Sequence, residues 1–109
     1  MQTLTRSQLK QWIDDKKDMI LIDVLPEDSF RNQHIPGAVN IPLKDTPDFA
    51  KAVEQQGASR DSCVVVYCKN LQCDMSRQAV QKLTDAGFAN VYAFEEGVEG
   101  WFGKSQAAA

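Results

Sequence analysis

The chain has 109 residues, 43% of them hydrophobic and 25% charged, with 12 basic against 15 acidic side chains and a formal charge of -3. That length and balance predict one globular domain over residues 1–103, without the Lys/Arg cluster that would bind nucleic acid. No apolar run approaches the ~18 residues of a membrane span and the opening MQTLTRSQLK lacks a signal-peptide core, so a cytoplasmic protein with no membrane partner is expected.

Thr5 to Gln8 reads TRSQ, a capping box, and Leu9, Trp12 and Ile13 follow at helical spacing; a first helix is predicted from about Thr5 to Lys16. MILIDV, residues 19–24, is a short apolar run and predicts a strand buried on both faces. PEDSFRNQ opens with Pro26 and two acids, a favourable start for a short helix. HIPGAVNIP carries two prolines and a glycine and predicts a turn into a brief strand at about Ala38–Ile41. TPDFAKAVEQQG begins with Thr-Pro and stops at Gly57, which predicts a helix. SCVVVYC, rich in β-branched residues, predicts a central strand. DMSRQAVQKLTDAG predicts a helix with Ala79, Val80 and Leu83 inward and Gly87 just past its end. NVYAFE predicts a last strand, GVEGWFGK a short terminal turn or helix, and residues 104–109 a disordered tail. Strands and helices alternate, and the strands read as apolar runs. Together these predict an α/β domain with a mainly parallel sheet, whose ligands would bind at the carboxyl ends of the strands.

Three cysteines is an odd count, which excludes a complete disulfide framework. With a single histidine, a zinc site would need nearly every soft ligand in the chain, and Cys63 and Cys68 point to opposite faces of a strand. No metal and no cofactor are expected. Cys68 ends the most apolar strand, where a reactive group belongs; its plainer reading is a buried core cysteine. The loop that follows comprises Lys69, Asn70, Leu71, Gln72, Asp74, Met75, Ser76 and Arg77 around Cys73. It can turn backbone N–H groups inward and ends at a helix N-terminus, which makes it a candidate anion cradle. With Lys69 and Arg77 as nearby cations, Cys68 is expected to titrate below its ordinary value. Cys73 reads equally as a second thiol or as a small residue at the helix start. Cys63, at the other end of the strand, reads as core.

LIDVLPEDSFRNQHIPGAVNIP, VVVYC and SRQAVQKLTDAGFANVYAFEEGVEGW together resemble the signature segments of rhodanese-like domains, from about Leu4 to Trp101. The resemblance implies a five-stranded, mainly parallel sheet flanked by helices on both faces. It implies a sulfurtransferase in which Cys68 carries sulfane sulfur as a persulfide, taken from a small donor such as thiosulfate and passed to cyanide, a small thiol or a protein thiol. Three departures stand out. Met75 occupies the family's usual arginine position and no glycine lies between Cys68 and Ser76. The loop is longer than usual and contains Cys73. Leu25 stands where an arginine often follows the aspartate-valine pair. A doubly charged donor has thereby lost two potential cationic partners.

Asp23 would either accept loop N–H groups or cap the helix that begins near Pro26. His34, in the HIPGA turn, is expected to make a structural hydrogen bond, and Trp101 to pack. The Arg77 side chain would reach either the loop or solvent. The rivals to sulfur transfer are a thiol-redox protein cycling Cys68 and Cys73 through a disulfide and a non-catalytic module that keeps only the fold. A phosphatase or arsenate reductase of this fold needs Cys-x5-Arg, and here the spacing is Cys-x8-Arg. Should Cys73 take part, it is expected to resolve a Cys68 persulfide, releasing hydrosulfide and leaving a disulfide.

Overall fold

The structure, a computed structural model, describes residues 2–103; the expected tail at 104–109 lies outside the described residues. In chain order the elements are β1 (Gln2–Thr3), α1 (Arg6–Asp14), β2 (Ile20–Asp23), α2 (Glu27–Asn32), β3 (Val39–Asn40), α3 (Phe49–Glu54), β4 (Cys63–Tyr67), α4 (Met75–Asp85), β5 (Asn90–Phe94) and α5 (Gly97–Trp101). The five strands form one parallel sheet in the order β1-β5-β4-β2-β3. The registers place Asp23, Tyr67 and Phe94 in one row across the carboxyl ends of β2, β4 and β5.

β4 lies in the middle of the sheet, and its β-branched run explains why. Val64, Val65 and Val66 are all fully buried. Neighbouring strand residues face opposite ways, so this strand is covered on both faces. Each such valine contributes about 1.5–3 kcal/mol of burial. On one side α4 supplies Ala79, Val80 and Leu83, the inward set that the sequence predicts. Its end is a full Schellman cap. Gly87, at φ +95, donates to the Thr84 carbonyl, and Phe88 donates to Leu83.

The TRSQ capping box forms at Thr5, where the Thr5 hydroxyl accepts from Gln8 N–H and the Gln8 side chain accepts from Thr5 N–H. The helix ends two residues short of Lys16, which adopts a left-handed φ of 54. The helix predicted from Thr46-Pro47 begins only at Phe49, because Asp48 takes the N-cap by accepting from Lys51 N–H. One strand has no counterpart among the sequence predictions. β1 is two exposed residues that pair with the edge of β5, too short to carry an alternating pattern. No helix among the described residues is long and apolar enough to cross a membrane.

Candidate active site

Cys68 follows the last residue of β4 and is 1% exposed. Its position is fixed from three sides. The sheet register anchors Tyr67 between Asp23 and Phe94. The first turn of α5 donates from Val98 N–H to the Cys68 carbonyl and from Glu99 N–H to the Lys69 carbonyl, each at 3.0 Å. From α4, the buried Ser76 turns both its N–H and its hydroxyl toward the Cys68 thiol.

Backbone contact at α5 is close because Gly97 has no side chain. A Cβ there would lie 2.5 Å from the Lys69 carbonyl and 2.6 Å from the Cys68 carbonyl oxygen, and its φ is +68. Sequence reasoning passed over Gly97 as a working part of the site; its only trace is the glycine four residues before Trp101 in GVEGW. It also passed over Glu99. That carboxylate accepts from Asn70 Nδ2 at 3.1 Å and lies 3.9 Å from Lys69 Nζ. Asn70 in turn accepts from Gln72 N–H on its side chain and from Cys73 N–H on its carbonyl. Glu99 thus fastens the loop through its second residue.

The residues expected to form a cradle separate into different roles. Ser76 points at the thiol. Asn70 folds the loop, and the Leu71 tip is exposed. Lys69 pairs with Glu99, while Arg77 pairs with Asp74 at 2.8 Å and with Glu95 at 3.4 Å. Both expected cations are therefore engaged with carboxylates. Asp74, at the N-cap of α4, spends its side chain on Arg77 and Gln78, and Arg77 holds its carboxyl below the usual range. Met75 packs against the core. Gln72 is exposed.

The expectation of a depressed thiol pKa at Cys68 is overturned. Cys73 presents its carbonyl to the site and accepts from Cys68 Sγ at 3.5 Å, an arrangement that favours the protonated sulfur. Burial, followed by the hydrogen bond that the protonated Cys68 thiol donates to the Cys73 side chain, pushes Cys68 up to about 11 against the opposing hydrogen bonds of Ser76. Cys63 lies half-buried at the amino end of β4, away from this loop, and its pKa is raised, chiefly by burial.

Asp23 is fully buried. Its Oδ1 accepts from Leu25 N–H at 2.9 Å, so it closes the turn after β2 rather than capping α2 or binding the 69–74 loop. Its Oδ2 has no hydrogen-bond partner, and burial pushes the carboxyl pKa up. His34 Nδ1 donates to the Phe30 carbonyl at 2.8 Å and the imidazole stacks on the Phe30 ring, a structural role as expected. Trp101 packs edge-on to Phe94 and under the Arg6 guanidinium. A cleft of about 310 Å³ opens beside the loop, lined by Leu25, Ser29, Asn32, Gln33, Lys69, Val98 and Glu99. No cluster of metal-ligating side chains occurs among the described residues.

A five-stranded parallel sheet, with a cysteine just past the carboxyl end of its central strand, places the chain among α/β proteins of the kind whose ligands bind at that sheet edge. The family model for the rhodanese-like domain matches residues 5–104, and the chain belongs to that family. An uncharacterized Escherichia coli protein, YibN, is 32% identical over 108 residues, covering 96% of this chain and 70% of that one. The thiosulfate sulfurtransferase GlpE of Coxiella burnetii is 30% identical over 97 residues, covering 87% of this chain and 83% of that one. Among solved structures, the rhodanese-like domain of an Anabaena protein superposes with a TM-score of 0.78 at 23% identity, covering 94% of this chain and 74% of that one.

Proposed function

We propose that the chain is a sulfurtransferase or persulfide carrier that moves sulfane sulfur through a persulfide on Cys68. The observation that carries this reading is the place of Cys68 at the carboxyl end of β4, with the Ser76 N–H and hydroxyl directed at its sulfur. Family membership and the GlpE relationship support the same chemistry. In the first half-reaction Sγ attacks the outer sulfur of thiosulfate. An S–S bond forms to Cys68, sulfite leaves, and the thiol proton leaves with it. In the second, cyanide or a thiolate takes the terminal sulfur and Cys68 is regenerated. The persulfide bears negative charge, so the Ser76 donors stabilise the loaded state.

Because Sγ is buried under Cys73, the 69–74 loop must shift for a donor to reach it. Lys69 and Arg77 are both paired with carboxylates, which leaves little positive charge to attract a dianion. A low-molecular-weight persulfide therefore suits the cleft as donor at least as well as thiosulfate. Three unpaired cysteines fit a reducing compartment such as the cytoplasm. The test is steady-state transfer to cyanide, with thiosulfate and a small persulfide as alternative donors. Parallel double-reciprocal lines are expected, with Cys68→Ser reducing the rate by about a thousandfold or more. Unchanged turnover in Cys68→Ser, alongside loss in Cys73→Ser, would move the nucleophile to Cys73.

A further inference from the structure

Cys73 is the second sulfur of the site, and transfer through Cys68 alone gives it no task. Its carbonyl lies 3.5 Å from Cys68 Sγ, and its thiol hydrogen-bonds the Cys68 thiol. The loop keeps it there. Cys73 N–H donates to the Asn70 carbonyl, and Asn70 is tied to Glu99. The far end of the same loop is held by the N-terminal turn of α5. Cys73 is half-buried where Cys68 is nearly inaccessible, so of the two sulfurs it is the one that solvent reaches. Cys63 cannot substitute for it. The five residues of β4 separate Cys63 from Cys68 by roughly 17 Å.

We propose that Cys73 is the resolving thiol of this site, attacking the inner sulfur of a Cys68 persulfide so that the chain converts sulfane sulfur into hydrosulfide. The proposal rests on the sulfurtransferase reading and adds a second outcome for the loaded enzyme. The step balances without an external oxidant. A bond forms between Cys73 Sγ and Cys68 Sγ, and the bond from Cys68 Sγ to the terminal sulfur breaks. The bonding pair stays on the terminal sulfur, which takes the Cys73 proton and leaves as HS⁻. The two cysteine sulfurs are oxidised to a disulfide as the sulfane sulfur is reduced to sulfide. An external dithiol then attacks the half-buried Cys73 side of the disulfide, the more accessible of the two, and restores both thiols at the expense of its own oxidation.

Geometry selects the inner sulfur. Cys73 meets Cys68 Sγ itself, through its carbonyl at 3.5 Å and through its side chain, and that sulfur becomes the inner one once the persulfide forms. Leaving-group strength points the same way. Attack on the terminal sulfur would expel Cys68 as a thiolate into surroundings that hold its pKa at about 11, whereas inner attack expels hydrosulfide.

The test follows a single loading event. Wild type, Cys73→Ala and Cys73→Ser are loaded with a sulfane-sulfur donor, freed of excess donor and incubated without added thiol. Intact mass and released sulfide are followed together. In wild type the gain of one sulfur should give way to a loss of two hydrogens, with one sulfide released per loaded chain. In both variants the added sulfur should persist about tenfold longer or more, without a disulfide. Equal decay in all three proteins with no disulfide overturns the resolving role and leaves the sulfurtransferase reading intact. Sulfur found on Cys73 by peptide mapping also overturns it, in favour of onward transfer. Failure of all three proteins to take up sulfur overturns both readings, and equal circular-dichroism spectra exclude misfolding as the cause.

Discussion

Two hydrogen bonds from Ser76 favour a charged sulfur at Cys68, while burial and the Cys73 thiol oppose it, and the opposition wins. A thiol at about 11 reacts slowly at neutral pH until the loop or a bound donor changes its surroundings. Alkylation of Cys68 by iodoacetamide, followed peptide by peptide, should therefore keep accelerating above pH 9 and level off near 11. Ser76→Ala should move that midpoint higher, because it removes a donor to the thiolate. A midpoint below pH 9 would contradict the balance. The sign for stability follows from the same shift. The folded pKa is raised, so the contribution is fully present below the ordinary value of 9.0 and is lost as pH rises through about 11. Its size is on the order of 2–3 kcal/mol. The position of Cys68 was legible in its strand-end spacing, but its ionisation was not. Whether loop N–H groups or a loop carbonyl face a sulfur depends on the turn geometry of residues 69–74, which residue types alone leave open. Asp23 shows the same limit, because its partner, the Leu25 N–H, comes from a local turn.

Among the elements, α5 bears on the site directly. Its five residues hold the Cys68 and Lys69 carbonyls at the head of the 69–74 loop and set the Glu99 carboxylate against Asn70. From α1, Arg6 Nε donates to the Trp101 carbonyl and so closes the far end of α5. Gly97→Ala should disturb this arrangement twice, through a Cβ 2.5 Å from backbone and through a left-handed φ. A loss of roughly 2–4 kcal/mol in urea denaturation is expected, together with slower sulfur loading. Stability and loading equal to wild type would show that the loop does not depend on α5. Long elements with clear periodicity, such as α4, were legible with their caps. The two-residue β1 was not, since pairing to an edge strand is a tertiary event with no local pattern. The start of α3 was misplaced because Thr46-Pro47 and Asp48 offer competing caps, and Asp48 has the Lys51 N–H within reach.

Across the described residues, one five-stranded sheet organises the fold, and its central strand is buried on both faces. The alternation of apolar runs with helical patterns was enough to read the parallel α/β class. The expectation of a single domain over residues 1–103 translates into cooperativity. Trp12 packs on Tyr92 near one part of the sheet and Trp101 on Phe94 near another, so fluorescence samples separate regions. Its urea transition should coincide with that of far-ultraviolet circular dichroism; separated transitions would indicate independently folding parts. Whether Cys68 is the residue that accepts sulfur is decided by locating the sulfur. The protein is incubated briefly with a sulfane-sulfur donor, quenched with an alkylating agent and mapped by peptide mass. One added sulfur is expected on the peptide containing Cys68 in wild type and none on any peptide of Cys68→Ser. Uptake by Cys68→Ser equal to wild type, or sulfur appearing first on Cys63 or Cys73, would contradict that expectation.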